Sequence, residues 1–177
     1  MKKSKKIILL AAASAAAALA GCAAMDKAGP AAVAQLRPTA GNVTTGSVRF
    51  VQSGSTVRVS GEVRGLRPHG EHGFHVHEKG DCSSPDGTSA GGHFNPDRRP
   101  HGQHGMGAHH AGDLPSLQAD ANGVARFAFN SGSIAVGAGA ANVVGRGLIV
   151  HKDPDDYRTQ PTGNAGARLA CAVIAAG

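Results

Sequence analysis

The sequence predicts an all-β domain folded as an antiparallel sandwich or barrel. Three observations support this prediction: apolar and polar residues alternate over short segments, glycine-rich turns separate those segments, and helical periodicity is absent from residue 22 onward. Several short strands joined by such turns are typical of antiparallel sheets, whereas strands alternating with helices would indicate a parallel sheet.

Strand periodicity begins at Val48 and Phe50, which are two residues apart and therefore lie on one face of a strand. A turn at residues 53–55 follows, and the alternation resumes with Val57 and Val59, so this region is predicted to be a hairpin. The same alternation predicts later strands over residues 73–77, 124–129, 143–150 and 168–174.

Two long segments, residues 78–114 and 152–167, do not fit as strands. Loops of this length inside a compact domain are usually functional. We therefore expect two long functional loops beside the sheet.

Residues 1–21 are predicted to be a signal peptide. Four lysines precede an uncharged run at residues 7–20, which is too short to span a bilayer. The run ends in Leu19-Ala20-Gly21-Cys22, which resembles the bacterial lipoprotein cleavage box, so Cys22 is expected to carry lipid. The alternative is an ordinary secreted protein that is cleaved nearby.

Residues 22–40 are rich in alanine and small polar residues and contain Pro30 and Pro38. This composition predicts a tether between the lipid and a single domain over residues 41–177. We expect the protein to lie in the periplasm or cell envelope as a lipid-anchored protein. Ala23, where an aspartate would favour the inner membrane, favours the outer membrane.

The basic charge of the chain comes largely from the predicted signal peptide. Four of the 18 basic residues lie there, which leaves 14 basic against 12 acidic residues. The chain has no tryptophan and one tyrosine with which to stack bases. These features argue against a nucleic-acid partner.

Three cysteines occur in the chain. If Cys22 carries lipid, Cys82 and Cys171 remain as a disulfide pair in an oxidising compartment. The alternative is two buried free cysteines.

Histidines dominate the remaining signal. His75 and His77 point to the same side of a predicted strand, which makes a chelating pair. A lone pair of this kind is more often solvated, but here four further candidate ligands follow in a glycine-rich loop and one lies far downstream: His93, His101, His110, Asp113 and His151. This pattern predicts a paired metal site.

The chain resembles the copper,zinc superoxide dismutases in their bacterial secreted form. The resemblance rests on five segments that keep their order: Gly73-Phe74-His75-Val76-His77-Glu78, Gly92-His93-Phe94-Asn95-Pro96, His110-Ala111-Gly112-Asp113, Val150-His151, and Gly163-Asn164-Ala165-Gly166-Ala167-Arg168-Leu169-Ala170-Cys171. It implies a Greek-key, immunoglobulin-like β-sandwich or barrel. It also implies dismutation of superoxide to dioxygen and hydrogen peroxide, which would protect the cell envelope from exogenous superoxide.

The resemblance implies two cofactors, copper and zinc, with His93 as a bridge between them. The implied copper ligands are His75, His77, His93 and His151. The implied zinc ligands are His93, His101, His110 and Asp113. Nitrogen ligands suit Cu(II), and three imidazoles with one carboxylate suit Zn(II).

Further roles are implied by the same resemblance. Arg168 would attract and hold the superoxide anion, His93 would exchange a proton, and Asp155 would orient His75 and His101. A homodimer is also suggested, although the short tail after Ile174 departs from the eukaryotic dimer contact. The loop before Arg168 is shorter than in eukaryotic members.

Four histidines remain without a role: His69, His72, His104 and His109. We expect them to be solvated loop residues, or to capture metal transiently when supply is scarce. Two rival functions remain open, a periplasmic copper/zinc carrier or buffer without turnover, and a scaffold that keeps the fold alone.

Overall fold

The computed structural model describes residues 29–177. The predicted signal peptide (1–21) and the predicted lipidation site Cys22 lie outside the described residues. Within residues 29–177, no helix is long and apolar enough to cross a membrane.

The described chain is built from short strands. They are β1 (Ala31–Pro38), β2 (Thr45–Ser53), β3 (Thr56–Arg64), β4 (Glu71–His72), β5 (Phe74–His77), β6 (Leu117–Gln118), β7 (Ala125–Ser131), β8 (Gly147–His151) and β9 (Arg168–Ala176). One 3₁₀ turn, Thr88–Ala90, lies between β5 and β6. The predicted all-β class is confirmed.

Seven of these strands form one antiparallel sheet, in the order β5-β8-β9-β1-β2-β3-β7. The chain crosses from β3 to β5 at the other end of the sheet, returns to β7 beside β3, and crosses again to β8 beside β5. The sheet curls so that its two ends meet across the core, where the rings of Phe74 and Phe127 pack edge to face at 5.3 Å. This arrangement confirms the antiparallel Greek-key type of fold.

The predicted hairpin corresponds to β2 and β3, which pair from Thr45 with Arg64 to Ser53 with Thr56. The turn between them uses Gly54 at φ 56°, a conformation that glycine adopts without steric cost. Val48, Phe50, Val57 and Val59 all point into the core, as the alternation predicts, and each is fully buried.

The predicted boundary between tether and domain at residue 40 is wrong. Strand β1 occupies the middle of the sheet, pairs with β2 and β9, and buries Ala32, Ala34 and Leu36. Alanine has a low strand propensity, so this strand lacks the valines that mark the others. Tertiary packing on both sides decides its conformation, and the segment available as a tether is shorter than predicted.

Other strand predictions need smaller corrections. The predicted strand over residues 143–150 begins only at Gly147, because Val143 and Arg146 belong to a turn closed by a hydrogen bond from Arg146 N to Val143 O. The two-residue ladder between β4 and β6 was not predicted, since two residues carry no readable period.

The two long loops, residues 78–114 and 152–167, are present as predicted, apart from the 3₁₀ turn. The predicted disulfide is confirmed: Cys82, in the first loop, is bonded to Cys171, in β9. The bond ties the first loop to the strand that begins at Arg168.

Candidate metal centre

The first group of candidate ligands lies on two neighbouring strands. His75 and His77 lie on β5, and His151 ends β8, where the register of the ladder shifts. The Nδ1 atoms of His77 and His151 are hydrogen-bonded to the carbonyls of Gly91 and Gly166, at 2.9 and 3.2 Å. Their Nε2 atoms therefore face each other, 3.4 Å apart.

The first long loop folds back along β5 and brings its ligands to the same place. Val76 donates to Gly112 O at 2.9 Å and accepts from Phe94 N at 2.8 Å. Gly112 is required here, since a Cβ atom at this position would lie 2.3 Å from Val76 O. The backbone contacts place His93 beside His77 and Asp113 beside His75.

The second group surrounds one carboxylate oxygen. Asp113 Oδ1 lies 2.8, 3.1 and 3.3 Å from the Nδ1 atoms of His93, His101 and His110. The Nδ1 atoms of His93 and His110 are 3.4 Å apart. Ligands at about 2.0–2.1 Å from a tetrahedral zinc ion would be separated by about 3.3 Å. The donor set and its spacing therefore fit zinc.

Two sets of four side chains could each hold one ion, with the ligand atoms of each set within 4.8 Å of one another. We call them the all-histidine group (His75, His77, His93, His151) and the histidine–aspartate group (His93, His101, His110, Asp113). The structure thus brings together every metal ligand that the sequence predicts.

His93 belongs to both groups, and its two nitrogens face different ways. Nδ1 contacts Asp113 in the histidine–aspartate group. Nε2 is buried and has no hydrogen-bond partner within residues 29–177, and the same is true of His75 Nδ1 in the all-histidine group. Buried nitrogens without partners are costly unless a ligand satisfies them, so they point to a metal ion.

Asp155 connects the two groups, as predicted. Its Oδ2 lies 2.8 Å from Nε2 of His75, and its Oδ1 lies 2.9 Å from Nε2 of His101. The carboxylate is held in turn by the Tyr157 amide at 2.7 Å. A Cβ atom at Gly163 would lie 1.8 Å from Asp155 Oδ1, so glycine is required at that position.

Three histidines of the all-histidine group have a lowered pKa, which keeps them neutral. Burial, assisted by the nearby His93, holds the pKa of His77 well below its ordinary value. Burial and the neighbouring His75 lower the pKa of His151 in the same way. The pKa of His93 falls to about 4, chiefly because of burial. Neutral imidazoles are the form that binds metal.

The histidine–aspartate group behaves in the opposite way. Burial would lower the pKa of His101, but hydrogen bonds to Asp113 and Asp155 outweigh burial and raise it to about 9. Burial would raise the pKa of Asp113 and of Asp155, but hydrogen bonds from the histidines hold both well below the usual carboxyl range. This group therefore carries paired charges without metal.

Arg168 lies at the start of β9, half-buried beside the all-histidine group. Its two terminal nitrogens donate to the carbonyls of Gly87 and Gly91, at 2.6 and 2.7 Å. Gly91 O also accepts from His77 Nδ1, so one carbonyl joins the guanidinium to a candidate ligand. Burial lowers the pKa of Arg168, with Asp86 opposing the shift.

Two residues that were not predicted from the sequence support the ligands. His72 is fully buried, and its Nδ1 is hydrogen-bonded to His151 O at 2.8 Å, so the expectation that it is solvated is wrong. The side chain of Gln160 forms two hydrogen bonds with the backbone of His101. It accepts from the N–H at 2.8 Å and donates to the carbonyl at 2.9 Å. Neither position carries a signal in the sequence.

The other unassigned histidines differ from one another. His69 is exposed, as expected. His104 and His109 are half-buried and line a cavity of about 440 Å³ outside the two groups.

The fold and these two groups define a β-sheet metalloprotein with adjoining ion-binding sites that share one imidazole. Comparison with known proteins identifies the family within this class. The sequence profile of copper/zinc superoxide dismutase (SODC) matches residues 44–174. The chain belongs to the copper/zinc superoxide dismutase family.

Individual relatives agree with this assignment. The chain is 45% identical over 136 residues to a Cu-Zn superoxide dismutase of Paramecium bursaria Chlorella virus 1, covering 73% of this chain and 71% of the relative. It is 38% identical over 145 residues to Cu-Zn superoxide dismutase 2 of Aquifex aeolicus, covering 80% and 84%. The crystal structure of the clock protein EA4 is similar, with a TM-score of 0.75 and 37% identity, covering 82% of this chain and 93% of that one.

Proposed function

We propose that this protein dismutes superoxide to dioxygen and hydrogen peroxide, with copper held by the all-histidine group and zinc by the histidine–aspartate group. The observation that carries the proposal is the shared ring of His93, which presents Nδ1 to one group and a buried, unpartnered Nε2 to the other. The family membership supports the same activity.

The donor sets of the two groups suit different metals, and the two metals have different chemical roles. Copper, when bound, supplies the one-electron step by alternating between its cupric and cuprous states, while zinc keeps one oxidation state. The overall reaction consumes two superoxide anions and two protons and yields one dioxygen and one hydrogen peroxide. The protein must therefore hold a small anion and supply protons.

His93 Nε2 is the atom that we assign to proton exchange. The ring is anchored through Nδ1 on the side of Asp113, so Nε2 can take up and release a proton without movement of the ring. The atom is buried, which keeps competing water away from it. A proton held there is placed to be donated to the departing peroxide.

Arg168 is the residue that we assign to binding superoxide. A guanidinium has five N–H donors, and the two carbonyls of Gly87 and Gly91 engage only part of this set. The remaining donors and the permanent charge suit an anion with two oxygens. The disulfide between Cys82 and Cys171 supports this position, because it ties the carbonyl-bearing loop to the strand of Arg168.

The positions of Asp113 and Asp155 support fixed ligand geometry. Each carboxylate contacts two or more histidines, and hydrogen bonds of this type set the tautomer and direction of a metal-binding ring. A carrier would need exchangeable ligands, whereas all the side chains of both groups are buried. The burial therefore favours an enzyme over a carrier or buffer.

We also propose that the chain is secreted to the cell envelope and anchored by lipid on Cys22. The lysines before the apolar run and the small residues before Cys22 support this proposal. So do bacterial relatives and relatives named as extracellular superoxide dismutases. With β1 beginning at Ala31, the proposed tether spans residues 22–30. Metabolic labelling with a fatty acid tests the anchor, and we expect the label to be lost in Cys22→Ala. Sedimentation analysis tests the suggested homodimer.

The test of the proposed function is direct. Purified protein is loaded with copper and zinc, its metal content is measured, and its consumption of superoxide is followed by stopped flow. We expect one ion of each metal per chain and rapid turnover that depends on copper. Tight binding of both metals without turnover would contradict the proposal and favour the carrier.

A further inference from the structure

Two histidines outside the metal centre form a pair of their own. His104 and His109 lie in the same part of the first long loop, with ring centroids 5.5 Å apart and ring planes at 52°. Both residues line the cavity of about 440 Å³. The other unassigned histidines differ, since His69 is exposed and His72 is buried against His151.

Hydrogen bonds fix the same tautomer in both rings of the pair. His104 Nδ1 donates to Asp113 O at 2.9 Å, and His109 Nδ1 donates to His110 O at 2.7 Å. A carbonyl oxygen can only accept, so the ring proton lies on Nδ1 in each case. In the neutral form of each ring, Nε2 is the nitrogen that carries the lone pair. Metal-binding histidines usually donate their other ring N–H to such a partner.

The spacing of the pair matches that of pairs within the metal centre. The centroids of His77 and His151 are also 5.5 Å apart, as are those of His93 and His110. Within each of these pairs, the ligand nitrogens of both rings belong to the same group. The His104–His109 pair therefore has the separation that lets two imidazoles reach one ion.

The surroundings of the pair are open and close to neutral. Asp97 and Arg99 line the same cavity and lie 3.6 Å from each other, so the guanidinium charge is offset. His109 Nε2 accepts a hydrogen bond from the amide of Gly105 at 3.3 Å, and a bound ion would replace this donor. Met106, in the turn between the two histidines, is exposed.

We propose that His104 and His109 form an accessory binding site for one divalent copper or zinc ion, separate from the two groups of the metal centre. Two imidazole nitrogens suit both ions, and copper should bind more tightly than zinc. Water completes the coordination, so binding should be weaker than in the buried centre. The site adjoins the histidine–aspartate group, because its two rings are held by the carbonyls of His110 and Asp113.

The test uses purified protein without a histidine tag, already holding one copper and one zinc ion per chain. Zn²⁺ and then Cu²⁺ are added in equilibrium dialysis, and the third ion is counted by elemental analysis. Cu²⁺ is also followed by electron paramagnetic resonance, in which nitrogen hyperfine lines report imidazole ligands. Failure to obtain protein with the first two ions would count against the proposed function and not against the accessory site.

The informative variants are His104→Asn and His109→Asn, singly and together. An asparagine amide nitrogen occupies the place of histidine Nδ1 and keeps the bond to the carbonyl, while nothing replaces Nε2. We expect wild-type protein to take up one further ion, each single variant to bind it more than about tenfold more weakly, and the double variant to lose it. The first two ions should stay in all variants. The matched control is His69→Asn.

Three results would overturn the accessory site. The first is absence of a third ion in wild-type protein. The second is a third ion that the double variant binds as tightly as wild type, which would place it elsewhere. Loss of the ion in His69→Asn alone would likewise assign it to a different surface.

Discussion

The two halves of the metal centre are built from different material. The all-histidine group takes three ligands from strands β5 and β8, which are held by ladder hydrogen bonds on a buried sheet. The histidine–aspartate group takes its ligands from the loop over residues 78–114, which is held by carboxylates, by Gln160 and by contacts with β5. Only His93 belongs to both.

The two halves of the metal centre also differ in the charges of their side chains. His77, His93 and His151 have lowered pKa values, so these three ligands are neutral before metal arrives. In the other half, His101 and Asp113 form an internal ion pair, which raises the pKa of His101 and lowers that of Asp113. The sheet therefore shapes the half that is proposed to hold copper, while the other half depends on a carboxylate to order a loop.

Removing one ligand from each half should separate their roles most strongly. His151→Ala takes a nitrogen from the proposed copper ligands and should lower turnover by more than about a hundredfold, because loss of even a supporting residue costs about 10–100-fold. His110→Ala should instead release zinc and retain measurable turnover. Stopped-flow rates, metal content and circular dichroism check both. Equal losses of activity with copper retained would remove the proposed division of roles.

Breaking the link between the halves should weaken both. Asp155→Asn leaves one oxygen to serve His75 and His101 and turns an amide towards the other ring, so affinity for both metals should fall about 10–100-fold. Competition with a chelator measures this loss. The matched control is Asp153→Asn, which makes the same change of charge in the same loop. An equal loss in the control would show a general effect of charge.

Arg168→Ala should affect only the half that meets substrate. The rate should fall by about tenfold and lose much of its dependence on ionic strength, because a cation beside the site no longer attracts the anion. Metal content should not change. Arg58→Ala removes the same charge from an exposed position on β3 and should leave the rate unchanged. An unchanged rate in Arg168→Ala would exclude the residue from the mechanism.

Proton release on metal binding gives the smallest and most specific contrast. At pH 7 His101 is protonated in metal-free protein, since its pKa is about 9, and it must lose that proton to bind zinc. Zinc uptake should therefore release about one proton at pH 7 and none well above pH 9. His93, with a pKa of about 4, is already neutral at pH 7, and the pKa values of His77 and His151 are also lowered, so these three ligands should release almost no protons on copper uptake.

Calorimetry in buffers of different ionisation enthalpy counts these protons.

The two pKa shifts also make the stability of the metal-free protein depend on pH, in opposite directions. The raised pKa of His101 stabilises the fold below pH 6.5, its unfolded value, and this contribution is lost as pH rises through 9. The lowered pKa of His93 removes stability as pH falls from 6.5 to 4. Equal proton release by both metals would contradict the electrostatic contrast.

The sequence predicted the ligands better than their supports. His75, His77 and the motif around His93 carry fixed spacings, and alternation located β2 and β3 because valines mark the buried face. Strand β1 was missed because its buried residues are mostly alanine, and its place is decided by β2 and β9 on either side.

The supports could not be predicted for a related reason. Gln160 and His72 act through backbone atoms of His101 and His151, which are distant in sequence. Their role depends on how the loops fold against the strands, and no local sequence pattern indicates that role. Asp155 was predicted only through the family resemblance, since Asp153 and Asp156 beside it look alike in sequence.

Diffraction data collected at the copper and zinc absorption edges of the oxidised, fully loaded protein would test the shared ring of His93 most directly. We expect a copper peak within reach of His93 Nε2 among His75, His77 and His151, and a zinc peak within reach of His93 Nδ1 beside Asp113. A ring of His93 turned away from both peaks, or the two metals in exchanged positions, would contradict the account.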